Sequence, residues 1–339
     1  EHLLVALIIL ISVVSRFYNV GLRVMSHDEV NHVVPSYELY QGRGYAHDPV
    51  THGPLQFHLL ALSYFMLGDS DFSSRVPAVL FSIATIVVVL FGFRRYLGRT
   101  GALIAGFLFL ISPFMLYYGR YTRNEVFGGL WTVLVLLGTL RYLEKGERGV
   151  LYMLTIVTAL HFTDKATAFI YNAQLLLFLG LLFLERLTRL RWPSEKSRKQ
   201  FMLFTGLALI LLLAALGLGV ANAKPTAEAA AVATTESNLK LTGELIALAG
   251  VLVFGGLAVV WLVRSLGWKT IRAQRSFDLI VLIGTLTLPQ LTAFPVRMLG
   301  WDPLDYTTAG MTRTALVLVP LFIISILVGL WWKPRFWLS

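Results

Sequence analysis

Ten long stretches of this sequence carry no charged side chain, and that absence constrains the fold more than any other feature. The stretches are 3–15, 76–93, 100–119, 126–140, 149–163, 166–184, 200–223, 245–263, 279–296 and 314–332. A charge at the centre of a bilayer costs roughly 2.5–3.5 kcal/mol even on insertion scales, so stretches of this kind mark membrane spans. Most approach the ~20 residues that a spanning helix needs; 126–140 and 149–163 are shorter and are expected to extend into their polar flanks. Only 14% of the 339 residues are charged and 56% are hydrophobic, against about 25% charged in a soluble domain. The expected architecture is an all-α polytopic membrane protein with about ten transmembrane helices. The chain starts at Glu1 and ends two residues after Trp337, which leaves truncation at either end open. The first stretch has signal-peptide length, but no small-residue cleavage site follows it.

The basic residues set an orientation. Of 29 lysines and arginines, 18 lie in the connections 94–99, 141–148, 186–199 and 264–275 and in the tail 333–335. The positive-inside rule makes these cytoplasmic. Thirteen of the 19 acidic residues fall in the alternate set, so carboxylates are concentrated on the expected outer face of a cell membrane. A net charge of +10 therefore reads as topology, and no nucleic-acid partner is expected. Zero cysteines exclude disulfides, zinc–cysteine sites and iron–sulfur clusters.

The segment 53–68 (GPLQFHLLALSYFMLG) is apolar but short, and it contains Gln56 and His58. If it spanned the bilayer, Asp28 and Glu125 would lie on opposite sides. Lying in the interface as an amphipathic helix, it leaves both on the outer side, and this reading is favoured. Residues 16–75 then form one large outer loop with interfacial helices, a length more often functional than merely connecting. The expected organisation is a membrane module at 1–185 containing that loop, followed by C-terminal transmembrane helices at 186–339 with outer loops 221–244 and 295–313.

Five of seven histidines (27, 32, 47, 52 and 58) lie in the first loop with Asp28, Glu29, Glu38 and Asp48. Glu29 and His32 have the i, i+3 spacing of a carboxylate-bridged di-metal pair, but the second copy such a site needs is missing. His27 and His32 are five apart, not the i, i+4 of a zinc protease. A single divalent cation on oxygen ligands, with Asp28, Asp48 and Glu125 as candidates, remains open because such geometry leaves no spacing signature.

Five motifs carry a resemblance to a known family. Ser26-His27-Asp28-Glu29-Val30-Asn31-His32, after the first membrane helix, resembles the Asp-Glu start of the first outer loop in GT-C glycosyltransferases that use polyprenyl-phosphate sugars. Asp48-Pro-Val-Thr-His52-Gly-Pro-Leu55 resembles the "D…HPPL" entry to an interfacial helix in protein O-mannosyltransferases. Arg75-Val-Pro-Ala-Val-Leu80 is similar to their "RLPSAL" segment. Tyr118-Gly-Arg120-Tyr-Thr-Arg123-Asn-Glu125 is similar to the "SRYxRPD" segment of bacterial lipid A aminoarabinose transferases, and Thr163-Asp-Lys165-Ala resembles the "TKG/TKE" turn after the fifth span. The elements agree in order and spacing over about residues 15–185, and the flippase-activity-associated branch of the superfamily is the nearest in pattern. Gly53 stands where the first proline of HPPL is usual, Glu125 where many relatives have Asp, and Asp164 intrudes before Lys165.

The resemblance implies an inverting glycosyltransferase that moves a sugar from a polyprenyl-phosphate donor to a lipid or protein acceptor. Asp28, with Glu29, would act as base and stabilise an oxocarbenium-like transition state. Arg75, Arg120, Arg123 and Lys165 would hold the departing phosphate. Asp48, His52 and Glu125 would assist the substrate or a cation. Plainer readings stand beside these. Asp28-Glu29 also reads as a carboxylate pair favoured at a helix start, and Arg120 and Arg123 as snorkelling anchors. His52 reads as a loop-fixing hydrogen bonder, His161 as an interfacial histidine, and Tyr117, Tyr118 and Tyr121 as interface-belt aromatics. The alternatives to an enzyme are a lipid-linked saccharide flippase, or a non-catalytic subunit of a larger membrane complex.

Overall fold

The computed structural model describes residues 1–45, 53–222 and 235–332. Among these the chain is all-α, without a strand. It divides into two compact units, residues 1–178 with 279–339, and residues 179–278.

Six helices among the described residues are long and apolar enough to cross a membrane: Asp71–Gly92, Glu125–Lys145, Ala168–Arg189, Glu195–Leu218, Leu245–Leu266 and Thr308–Trp332. They coincide with six of the ten charge-free stretches. The other four form shorter or interrupted helices. α1 (His2–Phe17) has 16 residues and α8 (Arg148–Asp164) has 17. The 100–119 stretch breaks at Ser112–Pro113, between α5 (Arg94–Ile111) and α6 (Pro113–Tyr118), because proline cannot continue the ladder of hydrogen bonds. Pro289 interrupts 279–296 in the same way: α13 (Arg275–Thr287) gives way to a 3₁₀ turn at Leu288–Leu291 and then to α14 (Ala293–Met298).

The break after α5 explains a buried arginine with no carboxylate partner among the described residues. The last carbonyls of a helix have no partner within it. Arg16, fully buried at the end of α1, donates to two of them, Phe109 O and Leu110 O, at 3.2 Å each.

α2 (His27–Tyr40), α3 (Pro54–Leu67) and α4 (Asp71–Val87) complete the N-terminal part of the first unit. α3 has 14 residues, about 21 Å at 1.5 Å per residue, short of a ~30 Å hydrocarbon core. α4 packs through small residues, Ser73, Ser74, Ala78, Ser82 and Thr85, all buried, which let helix backbones approach closely. α7 (Glu125–Lys145) and α8 form an antiparallel hairpin; Val126, Phe127 and Leu130 of one and Leu151, Leu154 and Val157 of the other are buried. This hairpin brings the N-terminus of α7 and the C-terminus of α8 to the same end.

In the second unit, α10 (Glu195–Asn222) and α11 (Thr235–Leu266) pair, with a core of Leu187, Phe201, Ala258, Leu262 and Ile271. The indole N–H groups of Trp192 and Trp261 donate to Leu187 O and Ser197 O, each at 3.0 Å.

Candidate active site

Ser26 and Glu29 start α2 as a capping box: the Ser26 hydroxyl accepts from the Glu29 N–H, and Glu29 Oε2 accepts from the Ser26 N–H at 3.1 Å. Glu29 does much more. Its Oε1 accepts from Arg75 Nε at 2.8 Å and from the Thr122 N–H at 3.2 Å; its Oε2 accepts from Arg23 Nη2 at 2.8 Å and Arg75 Nη2 at 3.1 Å. Arg75 spends its remaining nitrogen on Val20 O and Arg23 O, at 2.7 and 2.9 Å. Both side chains are fully buried. Burial works against the Glu29 carboxylate, but the Arg75 hydrogen bonds and the N–H groups of Ser26 and Thr122 outweigh it and hold its pKa below the ordinary value.

Two sequence expectations change here. Glu29, expected beside Asp28 as a reacting carboxylate, and Arg75, expected at a phosphate, are both fully buried and spend their polar atoms on each other and on the neighbouring backbone. Together they tie α2, the 18–25 turn, α4 and the 120–124 segment into one frame.

Asp28, the neighbour of Glu29, faces outward with a half-exposed side chain. Arg123 Nη1 donates to its Oδ2 at 2.9 Å, while Oδ1 bonds to no described residue. Arg123 Nε lies 3.5 Å from Glu125 Oε2, and Lys165 Nζ donates to Glu125 Oε1 at 2.9 Å. The four residues form an alternating row, Asp28–Arg123–Glu125–Lys165, drawn from α2, the turn before α7, the first residue of α7 and the residue after α8. Asp28 and Glu125 therefore share one side of the membrane, as the interfacial reading of 53–68 requires.

The row rests on a buried floor. Asn124 Nδ2 donates to Asp164 O and Oδ1, each at 3.0 Å, and the Gly53 N–H donates to the same carbonyl at 3.0 Å. A Cβ at Gly53 would lie 2.1 Å from Thr163 O and 2.5 Å from its carbonyl carbon, so only glycine permits this approach. That is the physical reason for the departure from the proline pattern. Gly53→Ala is expected to destabilise the chain by about 1–3 kcal/mol, in the range of overpacked cores, and to lower its thermal midpoint in detergent. An unchanged midpoint would mean that α3 does not seat against α8 in this way.

The remaining expected residues are placed differently. Arg120 turns from the row and donates to Tyr18 O beyond the end of α1. Asp48 and His52 lie outside the described residues, and with them one of the three candidate cation carboxylates. Among the described residues no group of three or more acidic, histidine or cysteine side chains could hold a metal. His161 is buried within the protein, at 2% exposure, with its ring 5.5 Å from that of Tyr171. Tyr117 and Tyr121 stack at 5.0 Å beneath the Arg23 guanidinium, and the Tyr121 hydroxyl bonds Ser26. Asn124 and Asp164 are site residues that the sequence reading did not select. The small polar residue before Glu125 and the acid before Lys165 were the available signals.

An apolar cleft of about 770 Å³ opens beside α8, walled by Phe162, Thr163, Pro289, Phe322, Ile326 and Leu330 among others. Thr163, one of its walls, stands two residues before Lys165 of the charged row.

Residues 51–218, about half the chain, match the family model of dolichyl-phosphate-mannose-protein mannosyltransferases. The match takes in Gly53, Arg75, Arg120, Arg123, Glu125 and Lys165, and supports a GT-C-like membrane glycosyltransferase. Neither curated proteins nor solved structures provide a match.

Proposed function

We propose that this GT-C-like membrane glycosyltransferase moves a sugar from a polyprenyl-phosphate donor to a lipid or protein acceptor, with inversion, on the outer face of the cell membrane. The observation that carries the reading is the Asp28–Arg123–Glu125–Lys165 row, a half-exposed carboxylate at one end and a lysine at the other. The outer-face assignment rests on the distribution of lysine and arginine, and the donor chemistry is assigned to residues 1–185.

Asp28 takes the proton of the acceptor hydroxyl or amide as that group attacks the anomeric carbon. The new bond forms as the bond from that carbon to the phosphate oxygen breaks, and polyprenyl phosphate leaves with the electron pair. Lys165 and Arg123 receive the developing negative charge. Fixed cations of this kind often supply the largest catalytic contribution. Glu125 holds both cations in place between substrates. The apolar cleft that Thr163 helps to wall takes part of the isoprenoid chain. Glu29 and Arg75 are positioning residues that fix the frame from which Asp28 and Arg123 project.

The test supplies the protein in nanodiscs with radiolabelled polyprenyl-phosphate mannose, glucose or pentose, and separately with nucleotide-linked mannose, using native membrane extract as acceptor. Label is expected to pass to the extract from a lipid-linked donor alone. Transfer from the nucleotide sugar would refute the donor assignment. Lipid-donor binding without transfer to any acceptor would replace the enzyme reading by a flippase or a non-catalytic subunit.

A further inference from the structure

Gly128 sits one turn into α7, opposite the end of α8. A Cβ built there would lie 3.7 Å from His161 Nε2 and 4.0 Å from Asp164 Oδ2, and apart from Phe127, Gly129 and the nearby backbone of α7 no other heavy atom of the described residues lies within 4 Å of that point. Two polar atoms thus face the point where a side chain at position 128 would begin. Both belong to buried residues, His161 at 2% and Asp164 at 0% exposure. Neither atom has a hydrogen-bond partner among the described residues, although the other Asp164 oxygen and its carbonyl are both engaged by Asn124. Groups buried in this manner are normally satisfied, and without a Cβ at position 128 a small hydrogen-bonding guest can approach both atoms.

We propose that Gly128, His161 and Asp164 form a binding site for a single ordered water molecule, which bridges Nε2 and Oδ2. The water donates to the carboxylate oxygen and pairs with the imidazole nitrogen in whichever tautomer His161 adopts. It fixes the Asp164 side chain between α7 and α8. Asp164 in turn presents its carbonyl to Gly53 and Asn124, so the water anchors the floor of the charged row. His161 and Asp164 are positioning residues in this assignment, and the site is independent of which sugar or acceptor is used.

The test uses the full chain in detergent with Gly128→Ala and Gly128→Ser. An alanine Cβ at these distances makes ordinary van der Waals contacts, so no clash confuses the result. If the space held nothing, Gly128→Ala would raise the thermal midpoint, because alanine is the better helix former. With a bridging water, the methyl displaces it, leaves two buried polar atoms unpaired, and lowers the midpoint by about 2–4 °C or more. The serine hydroxyl reaches the position of the water and restores most of that loss. A high-resolution structure of the wild type is expected to place ordered solvent within about 3 Å of both atoms. An alanine variant as stable as wild type, or a serine variant no better than alanine, would overturn the assignment.

Discussion

Asp28→Asn is expected to slow sugar transfer by about 10²–10⁴-fold, the range that a positioned general base contributes, with donor binding and fold retained. The structure makes this substitution unusually clean. Asp28 is half exposed and makes one ion pair among the described residues, with Arg123 at 2.9 Å, and exposed pairs of this kind contribute about 0–1 kcal/mol. Asparagine keeps the shape and can still accept from Arg123, but it cannot take a proton from the acceptor. The frame beneath it is untouched, because the helix start is held by Glu29 and Ser26 rather than by Asp28. The measurement is single-turnover label transfer from the lipid-linked donor, with donor binding and thermal midpoint followed in parallel. Full activity in the variant would remove Asp28 from the chemistry. Loss of donor binding along with transfer would assign it to substrate recognition instead.

Some of this site was legible in the sequence and some was not, for reasons that differ by residue. The all-α membrane architecture follows from charge exclusion alone, since no physical alternative tolerates so many uncharged windows. The shortfall in long helices has a local cause at Ser112–Pro113 and Pro289, where a hydropathy window runs straight through a proline break. Asp28, Arg123, Glu125 and Lys165 were selected as separate motifs. That they join in one row depends on the α7–α8 hairpin bringing two helix ends together, which no linear spacing reveals.

Glu29 and Arg75 illustrate the opposite problem. Both resemble site residues in sequence, and neither motif says that its side chain is buried. The distinguishing signal was present: Ser26 three residues before Glu29 is the spacing of a capping box, which turns that carboxylate inward to its own backbone. Arg75 carries no such signal. Its burial depends on where α4 packs, and a charge is buried only where partners for all its nitrogens already exist. Gly53 was visible only as a departure from a pattern; the reason lies in a carbonyl more than a hundred residues away.

Glu29→Gln is expected to cost about 3–5 kcal/mol, the range for breaking a buried ion pair by removing one partner. Glutamine fits the space but fails the chemistry. Its amide nitrogen would face N–H donors that now converge on a carboxylate from Arg75, Arg23, Ser26 and Thr122, and the Arg75 charge would be left buried without a counter-ion. Arg75→Met combined with Glu29→Leu is expected to recover part of the loss, since an apolar pair carries no desolvation penalty. Recovery stays incomplete, because Val20 O, Arg23 O and the Thr122 N–H lose their partners. The same frame dictates a pH response. The folded pKa of Glu29 is held below its ordinary value of 4.5, so its contribution to stability is complete above that value and is lost as pH falls through the depressed one. Thermal midpoints of wild type are therefore expected to drop on acidification below about pH 4.5, and those of Glu29→Gln to start lower and drop less. Parallel acid limbs in the two proteins would show that another carboxylate governs the response, and a midpoint unchanged by Glu29→Gln would refute the buried ion pair itself.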